Sequence, residues 1–335
     1  MKASNECAVY RRGFMGKRGW ALIIVGALLI VMVLILVFKT KDWNEAVSTE
    51  KNKWQEEVIS GKGKNKLVQL DVEGVIAGKP SFSSSFSTGA FLSQLDQVSK
   101  DPNVKALVIR VDSPGGEVVA SDEIHQRIEH VKKAGKTVVI SMGAVAASGG
   151  YYISAPADYI FANRSTLTGS LGVIFALPNY EKTAELLGYK QNVIKSGEFK
   201  DIGSPLRELT SKEKDIFQSL VNESYQQFVS VIEKGRKLSR DEVLKVADGR
   251  VYSGQQAKTL GLIDEFGTLD DAREYAKQKL GLEDVKVIKY SQKLSLFSVL
   301  DGLSQKMKSP AEQVMEQVLP AASTAGPRLL YLFQP

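Results

Sequence analysis

Short apolar runs with the period of strands alternate along this chain with stretches of helical period, and that alternation leaves few folds open. The strand-like runs cover 66–76, 104–111, 136–142, 159–162 and 191–195, with one more at 285–290. Between them, 117–133 places Ile124, Ile128 and Val131 at i, i+4 and i+7, and 211–237 sets Ile216, Leu220, Tyr225, Phe228 and Ile232 near one stripe. Strands separated by helices are joined by crossovers, so an α/β fold with a largely parallel sheet is predicted over 66–290. No internal repeat breaks the pattern.

Residues 20–38 form a run of 19 without a charge, dominated by Leu, Ile and Val. As a helix rising 1.5 Å per residue it would extend about 28 Å, close to the roughly 30 Å hydrocarbon core of a bilayer. It ends in Leu36-Val37-Phe38, too bulky for a small-residue cleavage site, so an uncleaved transmembrane anchor in the lipid bilayer is expected rather than a secretory leader. The ten residues before it carry four Lys/Arg and the ten after it carry Lys39 and Lys41. That asymmetry predicts a single-pass protein of the cell membrane, with a cytoplasmic N-terminus and an extracytoplasmic domain.

The formal charge is +6, and residues 1–19 hold Lys2, Arg11, Arg12, Lys17 and Arg18 against Glu6. Most of the basicity therefore belongs to a cytoplasmic tail, which argues against a nucleic-acid groove in the folded part. Residues 39–65 are polar and Lys/Glu-rich, a stalk expected to be partly helical. Residues 291–335 contain Pro310, Pro320, Pro327 and the small-residue run 321–326, and read as a flexible tail. Cys7 is the sole cysteine, so no intrachain disulfide forms, and two histidines leave little for a metal cage.

Familiar catalytic signatures fail. Gly74 to Lys79 is too short for a phosphate loop and runs into Pro80. Ser211 to Lys214 matches S-x-x-K but opens a charged helix, where a capping role is expected. His125 and His130 are five apart, about 140° around a helix, so they cannot share a metal and read as helix-surface residues.

Two glycine-rich turns are more informative. One strand runs into Asp112-Ser113-Pro114-Gly115-Gly116, another into Gly143 and Ala147-Ser148-Gly149-Gly150, each followed by a helix. In a parallel sheet such turns lie at the carboxyl edge, where sites gather. Ser148 is then either an acyl-transfer nucleophile with its hydroxyl and N–H free, helped by an N–H of Gly115 or Gly116, or an N-cap serine beside packing glycines. A nucleophile needs a base, and no histidine follows position 130. The candidates are then carboxylates or a lysine, and a lysine can serve when desolvation or nearby positive charge lowers its pKa by several units. The segment 195–205 offers Lys195 and Lys200, and spacing does not choose between them.

Four blocks in order, Asp112-Ser113-Pro114-Gly115-Gly116, Ala147-Ser148-Gly149-Gly150-Tyr151-Tyr152, Thr168-Gly169-Ser170-Leu171-Gly172-Val173 and Lys195-Ser196-Gly197-Glu198-Phe199-Lys200-Asp201, resemble the motifs of the signal peptide peptidase A family. Arg250 to Ala257 and Leu260 to Asp264 fit the same pattern, and the length resembles the short bacterial form. The resemblance implies a Clp-protease/crotonase-like spiral of ββα units and a Ser–Lys dyad. By motif, Ser148 matches the nucleophile, Lys200 the general base and Ser170 the hydroxyl that positions the lysine. Gly115 matches the oxyanion partner of the Ser148 N–H, with Gly116 a neighbouring possibility. It also implies a homo-oligomeric ring in which adjacent protomers share the dyad.

The expected function is thus a membrane-anchored serine endopeptidase that degrades remnant signal peptides and other apolar peptides through an acyl-enzyme, without metal or organic cofactor. The small-residue C-terminal tail is a candidate to enter its own groove. Two rivals make different predictions: a crotonase-type acyl-CoA hydratase or isomerase would bind CoA and tolerate Ser148→Ala, and a catalytically silent anchored scaffold would leave Ser148 unlabelled by fluorophosphonates.

Overall fold

The computed structural model describes residues 54–78, 86–281, 284–291 and 329–333. The anchor at 20–38, the basic tail and most of the stalk lie outside the described residues. Among the described residues no helix is long and apolar enough to cross a membrane.

In chain order the elements are β1 (Gln55–Ser60), β2 (Asn65–Glu73), α1 (Thr88–Lys100), β3 (Val104–Ser113), β4 (Gly115–Glu117), α2 (Val118–Lys133), β5 (Thr137–Ala147), α3 (Gly149–Ser154), β6 (Tyr159–Ala162) and β7 (Leu167–Gly169). There follow α4 (Glu181–Leu186), α5 (Ser211–Arg236), α6 (Arg240–Val246), β8 (Val251–Ser253), α7 (Gly254–Thr259), β9 (Glu265–Phe266), α8 (Leu269–Leu280), β10 (Val285–Ser291) and β11 (Leu330–Leu332). The main sheet runs β1-β10-β2-β3-β5-β6-β9, parallel except where β1 joins β10, and β7 pairs β5 in parallel and β8 in antiparallel sense. A mixed α/β fold is therefore what the alternating periods produce.

The central strand β3 shows why its sequence is so continuously apolar. Ala106 and Val108 face one cluster, with Ala272 and Ala276 of α8, while Leu107, Ile109 and Val111 face the other, with Ile124, Ile128 and Val131 of α2. Both faces of a parallel strand are covered, so both residue parities are apolar. Beyond this covered middle, β5 runs on to Ala147 and delivers the chain into Ser148.

Four expectations need correction. The end of the stalk belongs to the sheet, since Gln55–Ser60 pairs with β10; every residue of this edge strand is exposed, so no apolar alternation announced it. The run 191–195 is exposed and irregular, with Ile194 fully solvated, because no described strand lies beside it to receive β-branched side chains. His125 is half-buried rather than on the open helix surface: it packs edge-on to Tyr152, ring centroids 5.3 Å apart, and desolvation holds its pKa down. The C-terminal segment is not free at 329–333. There β11 pairs antiparallel with β4, and the side chain of Tyr331 is fully buried.

Candidate active site

Ser148 has φ 53° and ψ −115°, a backbone region that side chains avoid at a cost of about 1–3 kcal/mol. It caps α3 by position, yet its side chain makes no capping hydrogen bond. The hydroxyl is therefore not consumed by the bland role open to it. The residue is 1% exposed, and its carbonyl accepts from the Tyr152 N–H at 2.8 Å.

The parallel ladder of β5 and β7 pairs Ala147 with Gly169. Its continuation has the Ser148 N–H donating to the Gly169 carbonyl at 2.8 Å, so the free N–H expected there is absent. The same continuation puts Ser170 next in register to Ser148. Ser170 has φ 50°, and its N–H donates to the Arg250 carbonyl at 2.7 Å.

The Gly115 N–H is also occupied, by Ser113 Oγ at 3.1 Å, and Ser113 Oγ in turn donates to the Gly74 carbonyl at 2.6 Å. Gly115 has φ 97°, and a Cβ there would strike the Tyr331 carbonyl oxygen and come within 2.5 Å of the Gly149 nitrogen. A Cβ on Gly149 would lie 2.7 Å from Ser121 Oγ, 3.0 Å from the Tyr331 oxygen and 3.1 Å from Gly115 Cα. Only hydrogen at both α-carbons lets a peptide carbonyl come this close to the start of α3. Gly149 is the first residue of α3, and its N–H is one of those a helix leaves without an internal acceptor.

That carbonyl comes from the chain's own end. The Phe333 N–H donates to the Pro114 carbonyl at 2.8 Å and the Val118 N–H to the Leu329 carbonyl at 3.3 Å. In an antiparallel ladder hydrogen-bonded pairs recur every second residue, which makes Gly116 and Tyr331, paired in register, the bonded pair between them. On the other edge Ile174 and Leu330 exchange N–H···O bonds of 3.0 Å in both directions. The Tyr331 ring stacks on Tyr152 at 4.9 Å, touches Phe228 at 4.7 Å, and its hydroxyl donates to the Ser224 carbonyl at 2.9 Å. The Tyr152 hydroxyl donates to Asp122 Oδ1 at 2.7 Å, which fixes that wall.

Among the described residues Lys200 shares no hydrogen bond with this place. It lies on an exposed turn, its N–H donating to the Gly197 carbonyl at 3.2 Å, and among the described residues its Nζ forms no hydrogen bond or ion pair. Lys195 is bound to Asp201 at 2.6 Å. The structure thus gathers Ser148, Gly115 and Ser170, and among the described residues no hydrogen bond links Lys200 to any of them. Sequence reasoning missed the aromatic pocket of Tyr152 and Phe228, and missed the tail strand although Leu329 to Phe333 is a short apolar run. Ser211 does not cap α5; Thr210 does, in a box with Glu213 that T-x-x-E spacing signals.

Residues 130–283 match the model of Peptidase family S49. A protein of Enterococcus faecium named "Putative signal peptide peptidase SppA" is 36% identical over 300 residues, covering 85% of this chain and 87% of that protein. Protease 4 of Haemophilus influenzae is 36% identical over 265 residues, 77% of this chain and 43% of its own length. The chain spans less than two thirds of some curated relatives, 64% of one from Methanocaldococcus jannaschii besides Protease 4. A solved ClpP1 mutant from Listeria monocytogenes is 20% identical with a TM-score of 0.41, over 61% of this chain and 93% of that one, a likeness too distant to assign residues.

Proposed function

The chain belongs to peptidase family S49 and is a serine protease, and from that premise we propose that Ser148 is its nucleophile and Lys200 its general base. The observation that carries the reading is the strained, buried Ser148, its side chain unused as a cap, beside a peptide carbonyl held against Gly115 and Gly149. Neutral Lys200 accepts the Ser148 proton as Oγ attacks the substrate carbonyl, and the carbonyl π electrons move to oxygen. The N–H groups of Gly116 and Gly149 stabilise that oxyanion: the Gly116 N–H is turned to the Tyr331 carbonyl, whose place the substrate takes, whereas those of Ser148 and Gly115 are bonded to Gly169 and Ser113, which stay in place. The amine leaves with a proton returned by Lys200, and water then hydrolyses the acyl-enzyme.

Lys200 reaches a serine in this reading when protomers of a ring come together, one supplying Ser148 and Ser170 and its neighbour the lysine. The exposed Lys200 side chain, without a hydrogen bond among the described residues of its own chain, supports that arrangement. The spiral of ββα units, the anchor at 20–38 and an extracytoplasmic catalytic domain belong to the same proposal. Substrates are apolar peptides left at or near the bilayer, remnant signal peptides among them. They bind as a strand between β4 and Ile174, in the place Leu330–Leu332 takes, so the tail acts as a substrate-like or product-like occupant of its own groove.

The test is turnover of an apolar fluorogenic peptide by the full chain, with fluorophosphonate labelling of Ser148. Ser148→Ala and Lys200→Ala should both abolish turnover. Retained activity in Lys200→Ala would place the base elsewhere, and retained activity in Ser148→Ala would end the reading.

A further inference from the structure

The turn that carries Lys200 is exposed and irregular, yet the residue after Lys200 is held at both its carbonyl and its carboxylate. Arg207 Nε donates to Asp201 Oδ2 at 3.2 Å and Nη2 to the Asp201 carbonyl at 3.2 Å. The other guanidinium bonds run to Glu213 Oε1 at 2.5 Å, Glu213 Oε2 at 2.8 Å and the Glu208 carbonyl at 3.1 Å. A guanidinium has five N–H donors, and these contacts engage all five.

Glu213 is itself fixed. It is 2% exposed, sits in the first turn of the 26-residue α5, and its Oε2 accepts from the Thr210 N–H at 2.8 Å. Further along α5, Phe228, Val229 and Ile232 are in the main core, so that turn is tied to the rigid body of the molecule. On the far side Lys195 Nζ donates to Asp201 Oδ1 at 2.6 Å and to the Glu198 carbonyl at 2.9 Å, which closes the turn onto itself.

We propose that Arg207 is a positioning residue for catalysis, one that locks the backbone at Asp201 to the first turn of α5 and so sets where the neighbouring Lys200 side chain points. The inference rests on the reading of Lys200 as general base. Partly exposed ion pairs contribute little to global stability, and Arg207 and Asp201 have side chains 29% and 15% exposed. Geometry is a different matter, because misplacing a reacting group by about 1 Å can cost roughly a hundredfold in rate. A planar, fully engaged guanidinium between two carboxylates suits that task, and a single ammonium cannot reproduce it.

The experiment uses the detergent-solubilised full-length protein and the same fluorogenic peptide. Arg207→Met should lower kcat by about tenfold to a hundredfold while KM moves by less than about twofold. Arg207→Lys should recover only part of the loss. In a Lys200→Ala background, the residual rate of fluorophosphonate labelling at Ser148 should not change when Arg207→Met is added, because the clamp acts through the lysine. A wild-type kcat in Arg207→Met, or an equal loss with and without Lys200, overturns the proposal. Full turnover by Lys200→Ala alone is the separate failure of the dyad reading. Should Arg207→Met not fold, Asp201→Ala, which leaves Arg207 on Glu213, must lower kcat in the same sense or the proposal falls.

Discussion

The backbone N–H of Ser148 donates to the carbonyl oxygen of Gly169 across 2.8 Å. That bond extends the β5–β7 ladder by one step past β5, holds the nucleophile candidate in its strained conformation, and sets Ser170 beside it. It also moves the work of binding an oxyanion to neighbouring amides, with consequences that can be measured.

Ser148→Gly should melt at a higher temperature than Ser148→Ala, with both inactive. Glycine relieves a strain of about 1–3 kcal/mol at φ 53°, less about 0.5–1 kcal/mol for its greater freedom in the unfolded chain. Thermal unfolding of the two variants decides it; an alanine variant equal to or above the glycine variant would show that Ser148 carries no strain.

Gly149→Ala should fold but lose acylation. The new Cβ would sit 2.7 Å from Ser121 Oγ and 3.1 Å from Gly115 Cα, and overpacking of this kind costs about 1–3 kcal/mol. Displacing an oxyanion donor costs about a hundredfold to a thousandfold in kcat. Normal fluorophosphonate labelling of a folded Gly149→Ala protein would remove Gly149 from that role.

Truncation before Leu329 should lower the KM for an added peptide, since the strand bonds of Leu330–Leu332 no longer compete for β4 and Ile174. Tyr331→Phe should show a smaller change in the same direction, as it loses only the hydroxyl bond to Ser224, worth about 0.5–1.5 kcal/mol. Identical KM values for the truncated and full chains would mean that the tail does not compete with substrate.

The Arg207 clamp has a titration signature. The Arg207 guanidinium, helped by Lys195, holds the Asp201 carboxyl down at about 2, and Arg207 with the Thr210 N–H does the same for Glu213. Depressed carboxyl values mean that the clamp's contribution is present above the ordinary values of 3.8 and 4.5 and is lost as pH falls toward 2. Carboxyl-carbon NMR should give midpoints near 2 for both residues. Midpoints near 4 would show that the guanidinium is not on them in solution.

Much of the scaffold was legible in the residues because it depends on local period. The short apolar run at 159–162 and the long apolar stripe within 211–237 lie where β6 (Tyr159–Ala162) and α5 (Ser211–Arg236) form, and the double glycines after Pro114 and Ser148 announced two crowded turns. Legibility failed where no period was present to read. All of β1 is exposed, so its pairing with β10 left no alternation, and the exposed 191–195 run has strand composition without a neighbour strand.

The sequence by itself determined which residues occupy the turns at the sheet's carboxyl edge, because glycine, proline and serine restrict backbone geometry wherever they stand. It did not determine where each amide points. The Ser148 and Gly115 N–H groups are engaged by Gly169 and Ser113, partners supplied by ladder register and by a neighbouring side chain. Likewise only the folded molecule brings Tyr331 onto Tyr152 and Phe228, and Arg207 between Asp201 and Glu213. Hydrogen bonds and ring contacts act over a few ångströms, and which groups come within that range is decided by how distant segments pack.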